Sequence, residues 1–113
     1  MTSNLMHFEV TRFTDRVRVA MIGELDLSTS PDLIELLVGI VQEGPAYLDL
    51  DLSQLSYADS VGFSVFVTTH FQCRDAGIEL RFLNPNLFLK ELLATTGLDQ
   101  VLTIVSTDAL IGA

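Results

Sequence analysis

The chain has 113 residues, 49% of them hydrophobic, with 15 Asp plus Glu against 6 Lys plus Arg and a formal net charge of −9. That length fits one domain spanning residues 1–113, and the apolar fraction supplies a sizeable core and excludes an intrinsically disordered chain. Binding to nucleic acid or to an anionic membrane is not expected, because both need a basic face and the one basic cluster, Arg12, Arg16 and Arg18, is small.

The first ten residues, MTSNLMHFEV, lack the basic-then-apolar order of a secretory signal, so a cytoplasmic protein is expected. Residues 8–13 alternate apolar and polar side chains, the period of a half-buried strand. Asp15 offers a turn, and residues 17–22 read as a second strand hairpinned to the first. Gly23-Glu24-Leu25-Asp26 closes that strand. Ser30 then suits a helix N-cap, with Pro31 at the first helical position. Leu33, Leu36, Leu37, Ile40 and Val41 follow at helical spacing, until Gly44-Pro45 stops the helix. The apolar stretch 33–41 is interrupted by Glu35 and is far too short to span a bilayer.

Residues 47–52 alternate again, with Leu48, Leu50 and Leu52 on one side, and residues 53–59 read as a short loop carrying Tyr57. A second helix is predicted from about Ser60 to Arg74, burying Phe63, Phe66, Val67 and Phe71, with Gly77 as its left-handed cap. A lone cysteine on it, Cys73, rules out an internal disulfide and suits a reducing compartment. Residues 78–83 form a fourth strand, stopped by Asn84-Pro85. A third helix runs from about Asn86 to Thr95 with Leu89, Leu92 and Leu93 inward, and residues 101–105 form a last short strand or tail. The order β-β-α-β-α-β-α-β implies an α/β layer structure: a mixed, mostly parallel sheet with an N-terminal hairpin and helices packed on it.

The segment Asp59-Ser60-Val61-Gly62 opens a helix directly after a strand and loop. Backbone N–H groups and the helix dipole favour negative charge there, so a phosphate on Ser60 would be held without an arginine pocket. Gly62 in the first turn would keep the surface low for an approaching protein. Asp59 and Ser60 are equally suited to plain N-capping. Asp26 and Asp59 could pair for acid–base or metal chemistry, or serve as loop and cap residues. His70 and Cys73 stand three apart on one helix, a spacing that could supply two metal ligands. His7 is the only other histidine, so the structural role is favoured and no metal or cofactor is expected. The aromatic face Phe63, Phe66 and Phe71 reads as core in preference to a cofactor slot. Neither a Gly-rich phosphate loop nor a Ser-His-Asp order with useful spacing occurs.

Three segments in order resemble the STAS domain family and, within it, the bacterial anti-sigma factor antagonists. Gly23-Glu24-Leu25-Asp26 is similar to the family's Gly-Glu-Leu-Asp at the end of the second strand. Leu50-Asp51-Leu52-Ser53, Tyr57 and Asp59-Ser60-Val61-Gly62-Phe63 resemble the strand, loop and helix start that bear the family's phosphorylated serine. Leu92-Leu93-Ala94-Thr95-Thr96-Gly97-Leu98 resembles its closing helix and Gly-Leu turn. Three positions depart: Val61 stands for the usual Ser or Thr, Phe63 for Leu and Ser64 for Gly, which adds bulk to the recognition surface.

The resemblance implies a binding protein, not an enzyme, with Ser60 as phosphorylation site and a partner surface of Asp26, Asp59, Ser60, Val61, Gly62, Phe63 and Ser64. It implies as partner an anti-sigma factor that is also a serine kinase of the histidine-kinase-like ATPase fold. The unphosphorylated protein would bind it and free a sigma factor, and a serine phosphatase would reset the switch. Two other roles are compatible with the family. One is a non-phosphorylated STAS subunit of a larger regulatory or transport complex, and the other is a module sensing a small ligand or nucleotide.

Overall fold

The computed structural model describes residues 6–107. In chain order the elements are β1 (Met6–Arg12), β2 (Arg16–Leu25), α1 (Ser30–Glu43), β3 (Tyr47–Ala58), α2 (Ser60–Ala76), β4 (Glu79–Leu83), α3 (Leu87–Thr95), a single 3-10 turn (Leu98–Gln100) and β5 (Ile104–Val105). The five strands lie side by side in the same order as in the chain. β1 and β2 form the antiparallel hairpin, and β2 to β5 are mutually parallel. This is the mixed α/β arrangement expected from the sequence. Each parallel step needs a crossover, and crossovers of one hand that all advance in one direction set their helices on one face of the sheet.

That face is the core. Val17, Val19 and Met21 of β2, Leu48, Leu50 and Leu52 of β3, and Leu80 and Phe82 of β4 are buried in one cluster with Leu33, Leu37 and Ile40 of α1, Phe66 and Cys73 of α2, and Leu89 and Leu93 of α3. Each such side chain removed from water contributes about 1.5–3 kcal/mol. The alternate residues point to the other face, which mixes charged side chains with Ala20, Ile22, Tyr47 and Leu83. Arg18, Asp49 and Arg81 stand in one row across β2, β3 and β4. Asp49 is only 2% exposed there, and Arg81 grips it with both ends of its guanidinium, Nε to Oδ1 at 2.7 Å and Nη2 to Oδ2 at 3.1 Å.

Several expectations need correction. β3 does not end at Leu52: what reads as a loop over 53–58 continues the strand. Ala20 and Ile22 of β2 face Asp51 and Gln54, and Gly23 and Glu24 face Leu55 and Tyr57. β3 therefore holds one extra residue in each of two intervals, as at a β-bulge. Leu52, Leu55 and Ala58 are buried at a spacing of three, so the alternation that marks a strand is lost.

The N-cap of α1 is Thr29, not Ser30. Ser30 is the first helical residue, buried, with no partner for its hydroxyl, and Pro31 lies in the first turn. On α2, Phe63 and Phe66 are buried but Phe71 is 43% exposed, Val67 is half-buried, and Val65, Thr69 and Cys73 complete the inward stripe. Phe71 instead lies on the surface against the Arg74 guanidinium at 4.8 Å and the His70 ring at 5.1 Å. Leu92 of α3 is likewise only half-buried. The expected end of α2 holds: Gly77, at φ 73°, takes the left-handed cap and its N–H reaches the Arg74 carbonyl.

Candidate functional site

The parallel strands β2 and β3 end together. Leu25 pairs with Ala58, and the Leu25 carbonyl accepts from the Asp59 N–H at 3.1 Å. The turns that follow, 26–29 and 59–62, are therefore neighbours, and they hold most of the sequence-derived candidates.

Asp59 has extended backbone and its Oδ1 accepts from the Gly62 N–H at 3.0 Å, so it is the N-cap of α2. Ser60 is the first residue of the helix and is exposed. Its carbonyl accepts from the Ser64 hydroxyl one turn later, at 2.9 Å. No acceptor within the described residues takes the Ser60 or Val61 N–H. A hydroxyl thus stands in solvent beside free helix N–H groups and the positive end of a 17-residue helix.

Asp26 organises the other turn. Its Oδ1 accepts from the Ser28 N–H at 2.9 Å, the Ser28 hydroxyl at 2.8 Å and the Thr29 N–H at 3.2 Å. Its carbonyl takes the Ser30 N–H at 2.9 Å. Thr29 closes the loop, its Oγ1 donating to the Glu24 carbonyl and accepting from the Asp26 N–H, both at 2.9 Å. The Ser28 hydroxyl above all, with the turn's backbone donors, holds the Asp26 carboxyl below the usual aspartate range. Acid–base work calls for a carboxyl poised near the working pH, so a carboxylate fixed in its ionised form by one turn, beside another committed to capping, does not form such a pair.

Two candidates point inward. Gly62 is buried, and a Cβ there would lie 2.9 Å from Leu25 Cγ and 3.1 Å from the Leu25 carbonyl oxygen. What the missing side chain permits is the close approach of α2 to the end of β2, not a low outer surface. Phe63 is 8% exposed and tilts against Phe66 with ring centroids 6.1 Å apart. Its extra bulk relative to leucine is therefore spent in the core. The outward members are Ser60 and Ser64, with Asp26, Asp59 and Val61 half-exposed.

Sequence reasoning missed an apolar rim around this end of the sheet. Leu27 in the β2–α1 turn is 72% exposed, and Leu87 at the start of α3 is 70% exposed. Tyr57 near the end of β3 stacks on Phe88, centroids 6.0 Å apart and planes at 22°, with both rings open to solvent. The sequence signal was there: Leu27, Leu87 and Phe88 are apolar residues that no stripe of their own element absorbs. Between α1 and α2 a groove of about 190 Å³ is lined by Ile34, Val38, Val61, Ser64, Val65 and Thr68, among others. It is smaller than the ~300–1,000 Å³ usual for small-molecule sites.

His70 and Cys73 remain apart from all of this. Cys73 is buried and burial pushes its thiol up to about 11. Among the described residues no three His, Cys, Asp or Glu side chains gather as a metal would require, and no helix is long and apolar enough to cross a membrane.

The STAS domain family profile matches residues 7–109. The anti-sigma-B factor antagonist of Listeria monocytogenes is 35% identical over 98 residues, covering 86% of this chain and 85% of that protein. Its namesake in Bacillus subtilis is 32% identical over 99 residues, covering 88% and 90%. Among solved structures, an anti-sigma factor antagonist from Mycobacterium paratuberculosis superposes with a TM-score of 0.84 at 22% identity, covering 98% of this chain and 96% of that one. The strand order, the paired turns at the ends of β2 and β3, and these likenesses agree: the chain belongs to the STAS domain family.

Proposed function

We propose that this protein is an anti-sigma factor antagonist switched by phosphorylation of Ser60. In this reading the unphosphorylated chain docks on an anti-sigma factor through Asp26, Asp59, Ser60, Val61 and Ser64, held in place from beneath by Gly62 and Phe63. The exposed rim of Leu27, Tyr57, Leu87 and Phe88 supplies apolar area around that polar centre, the composition expected of a protein interface. Docking releases a sigma factor. The relatives' shared name supports this assignment, and their similarity extends along nearly the whole of both chains.

The observation that carries the switch is the exposed Ser60 hydroxyl on the first residue of α2. A partner kinase of the histidine-kinase-like ATPase fold would bring ATP to it. Ser60 Oγ attacks the γ-phosphorus, the bond to the β-phosphate oxygen breaks and ADP leaves, and the hydroxyl proton passes to a base of the kinase. This chain is the acceptor and not the catalyst. The phosphate is stabilised by the dipole of α2 and its free N–H groups. It also adds about −1.5 to −2 charges beside Asp59 on a chain already at −9. No arginine or lysine pairs with a residue of this site among the described residues. The new charge therefore has no cation to absorb it against a partner, and the complex separates until a serine phosphatase removes it. Val61, in place of a second hydroxyl, leaves one acceptor.

The test is to incubate the protein with ATP and the anti-sigma kinases of its host and locate the phosphate by mass spectrometry. One phosphate on Ser60 is expected, absent from Ser60→Ala. No phosphate, or phosphate on another residue, would overturn the switch.

A further inference from the structure

β1 forms one margin of the sheet. It pairs with β2 along Met6–Arg12, and its other edge meets no strand among the described residues. Such an edge presents a row of unpaired N–H and C=O groups ready to receive another strand. Proteins commonly blunt such edges with proline or charged side chains, lysine above all; β1 carries no proline or lysine, and of its two charged residues, Glu9 and Arg12, the second is bound to Glu43.

Beside this edge runs a groove of about 770 Å³ between β1 and α1. Half-buried Phe8, Val10 and Leu36, packed against the core, give it an apolar floor, and exposed Asp32 and Glu35 line its helix side with negative charge. Neither of these two carboxylates has a cationic partner among the described residues.

The flank of α1 that faces the groove has a further oddity. Asp32, Glu35, Leu36, Gly39 and Glu43 fall on one side of the helix by their spacing. Gly39 lies in the helix interior with ordinary φ, and a Cβ there would meet nothing within 4 Å. Glycine in mid-helix lowers stability relative to alanine, and no close packing accounts for it here. Its effect is to keep this flank low. At the end of the same flank Glu43 receives Arg12 from β1, Nε to Oε1 at 3.0 Å and Nη2 to Oε2 at 2.6 Å. A guanidinium rooted at the sheet edge thus already reaches a carboxylate of α1, and Glu35 and Asp32 repeat that carboxylate toward the open end.

We propose that the β1 edge and the acidic flank of α1 form a docking groove for an extended basic segment of another protein, which adds a strand to β1 and sets Arg or Lys against Asp32 and Glu35. In the added strand every second side chain faces α1. The aliphatic stem of an arginine or lysine lies over Phe8, Val10 and Leu36 while its head reaches the carboxylates. A second copy of this chain fits poorly, since its β1 offers a single cationic side chain, Arg12, and that is already bound to Glu43. The groove lies on the side of α1 away from α2 and from Ser60, so the proposal stands or falls independently of the phosphorylation switch.

The test uses the whole protein and a seven-residue peptide alternating threonine and arginine. Two controls accompany it: the same peptide with glutamate for arginine, and one with proline for threonine, which keeps the charge but loses backbone donors. By NMR titration the first peptide should shift β1 amides and the flank of α1, and slow hydrogen exchange at β1 amides not bonded to β2. Two exposed ion pairs are together worth about tenfold in Kd, so Asp32→Asn with Glu35→Gln should weaken binding by that factor. Gly39→Gln should weaken it several-fold while raising the melting temperature, which separates blockage of the groove from damage to the fold. Ser60→Ala should bind the peptide as the parent does. Equal binding by the proline peptide, unchanged affinity in the Asp32/Glu35 variant, shifts confined to another face, or a dimer in sedimentation that protects β1 without peptide would each overturn the proposal.

Discussion

Two aspartates that end neighbouring strands hold different geometries with the same functional group. Asp59 spends its carboxylate on the Gly62 N–H and so defines where α2 begins; Asp26 spends its own on Ser28 and Thr29 and so defines the turn beside it. Removing a cap of this kind costs about 0.5–2 kcal/mol. Asp59→Ala should lower stability by about 1 kcal/mol in urea unfolding and fray the first turn, carrying Ser60 with it. Gly62→Ala should cost about 1–3 kcal/mol by overpacking, because its methyl would meet both the side chain and the carbonyl of Leu25; the same unfolding measurement checks it. At this scale the sequence was informative about residue type and silent about direction. Asp-Ser ahead of an apolar stripe is legible as a helix start. Phe63 was legible as core from its helical spacing with Phe66, but that Gly62 turns inward depends on how closely β2 approaches α2, a tertiary distance that no local pattern encodes. The clasp made by Thr29 was hidden for a similar reason: its partners are the Glu24 carbonyl and the Asp26 N–H, placed by the turn itself.

Among the elements, β1, β2, α1, β4 and α3 follow from periodicity and stop residues, and their positions agree with expectation to within a few residues. β3 and α2 show where periodicity fails. The two extra residues in β3 shift the buried positions to Leu52, Leu55 and Ala58, so the second half of a 12-residue strand carries no period-two signal. The bulged half is what brings Ala58 level with Leu25 and delivers Asp59 and Ser60 to the end of the sheet where β2 and β3 stop. On α2 the inward stripe includes Gly62, Thr69 and Cys73, residues of modest hydrophobicity, while Phe71 lies outside it, so counting aromatics mislocates the face. The two phenylalanines should accordingly respond very differently. Phe66→Ala, which empties a site packed against Phe82 at 4.9 Å, should cost about 3–5 kcal/mol. Phe71→Ala should stay within about 0.5 kcal/mol in the same denaturation series.

Across the whole molecule the sheet separates two kinds of surface. One face is covered by helices and is apolar; the other carries a charge cluster centred on Asp49. Arg81 grips that carboxylate at 2.7 Å, and Arg16 stands 3.9 Å from it. Arg81→Met would leave a buried carboxylate with one distant partner and should destabilise the protein by about 3 kcal/mol, read from the shift in denaturation midpoint. Charge is also divided along the strands. Arg16 opens β2 and Arg74 closes α2, whereas Asp26 and Asp59 occupy the opposite end with Ser60. In the proposed docking at that end, a neutral hydroxyl is ringed by Leu27, Tyr57, Leu87 and Phe88, and a phosphate there would find no cation of this chain paired with the site among the described residues. Composition announced the acidic balance, but only the fold shows that Arg16 and Arg74 lie at the end opposite Ser60. The most direct measurement is the affinity of the host's anti-sigma factor for this protein before and after phosphorylation of Ser60, by calorimetry. Weakening of about a hundredfold, or ~2.7 kcal/mol, is expected, with Ser60→Ala binding like the unmodified protein; equal affinity for the two forms would contradict the account.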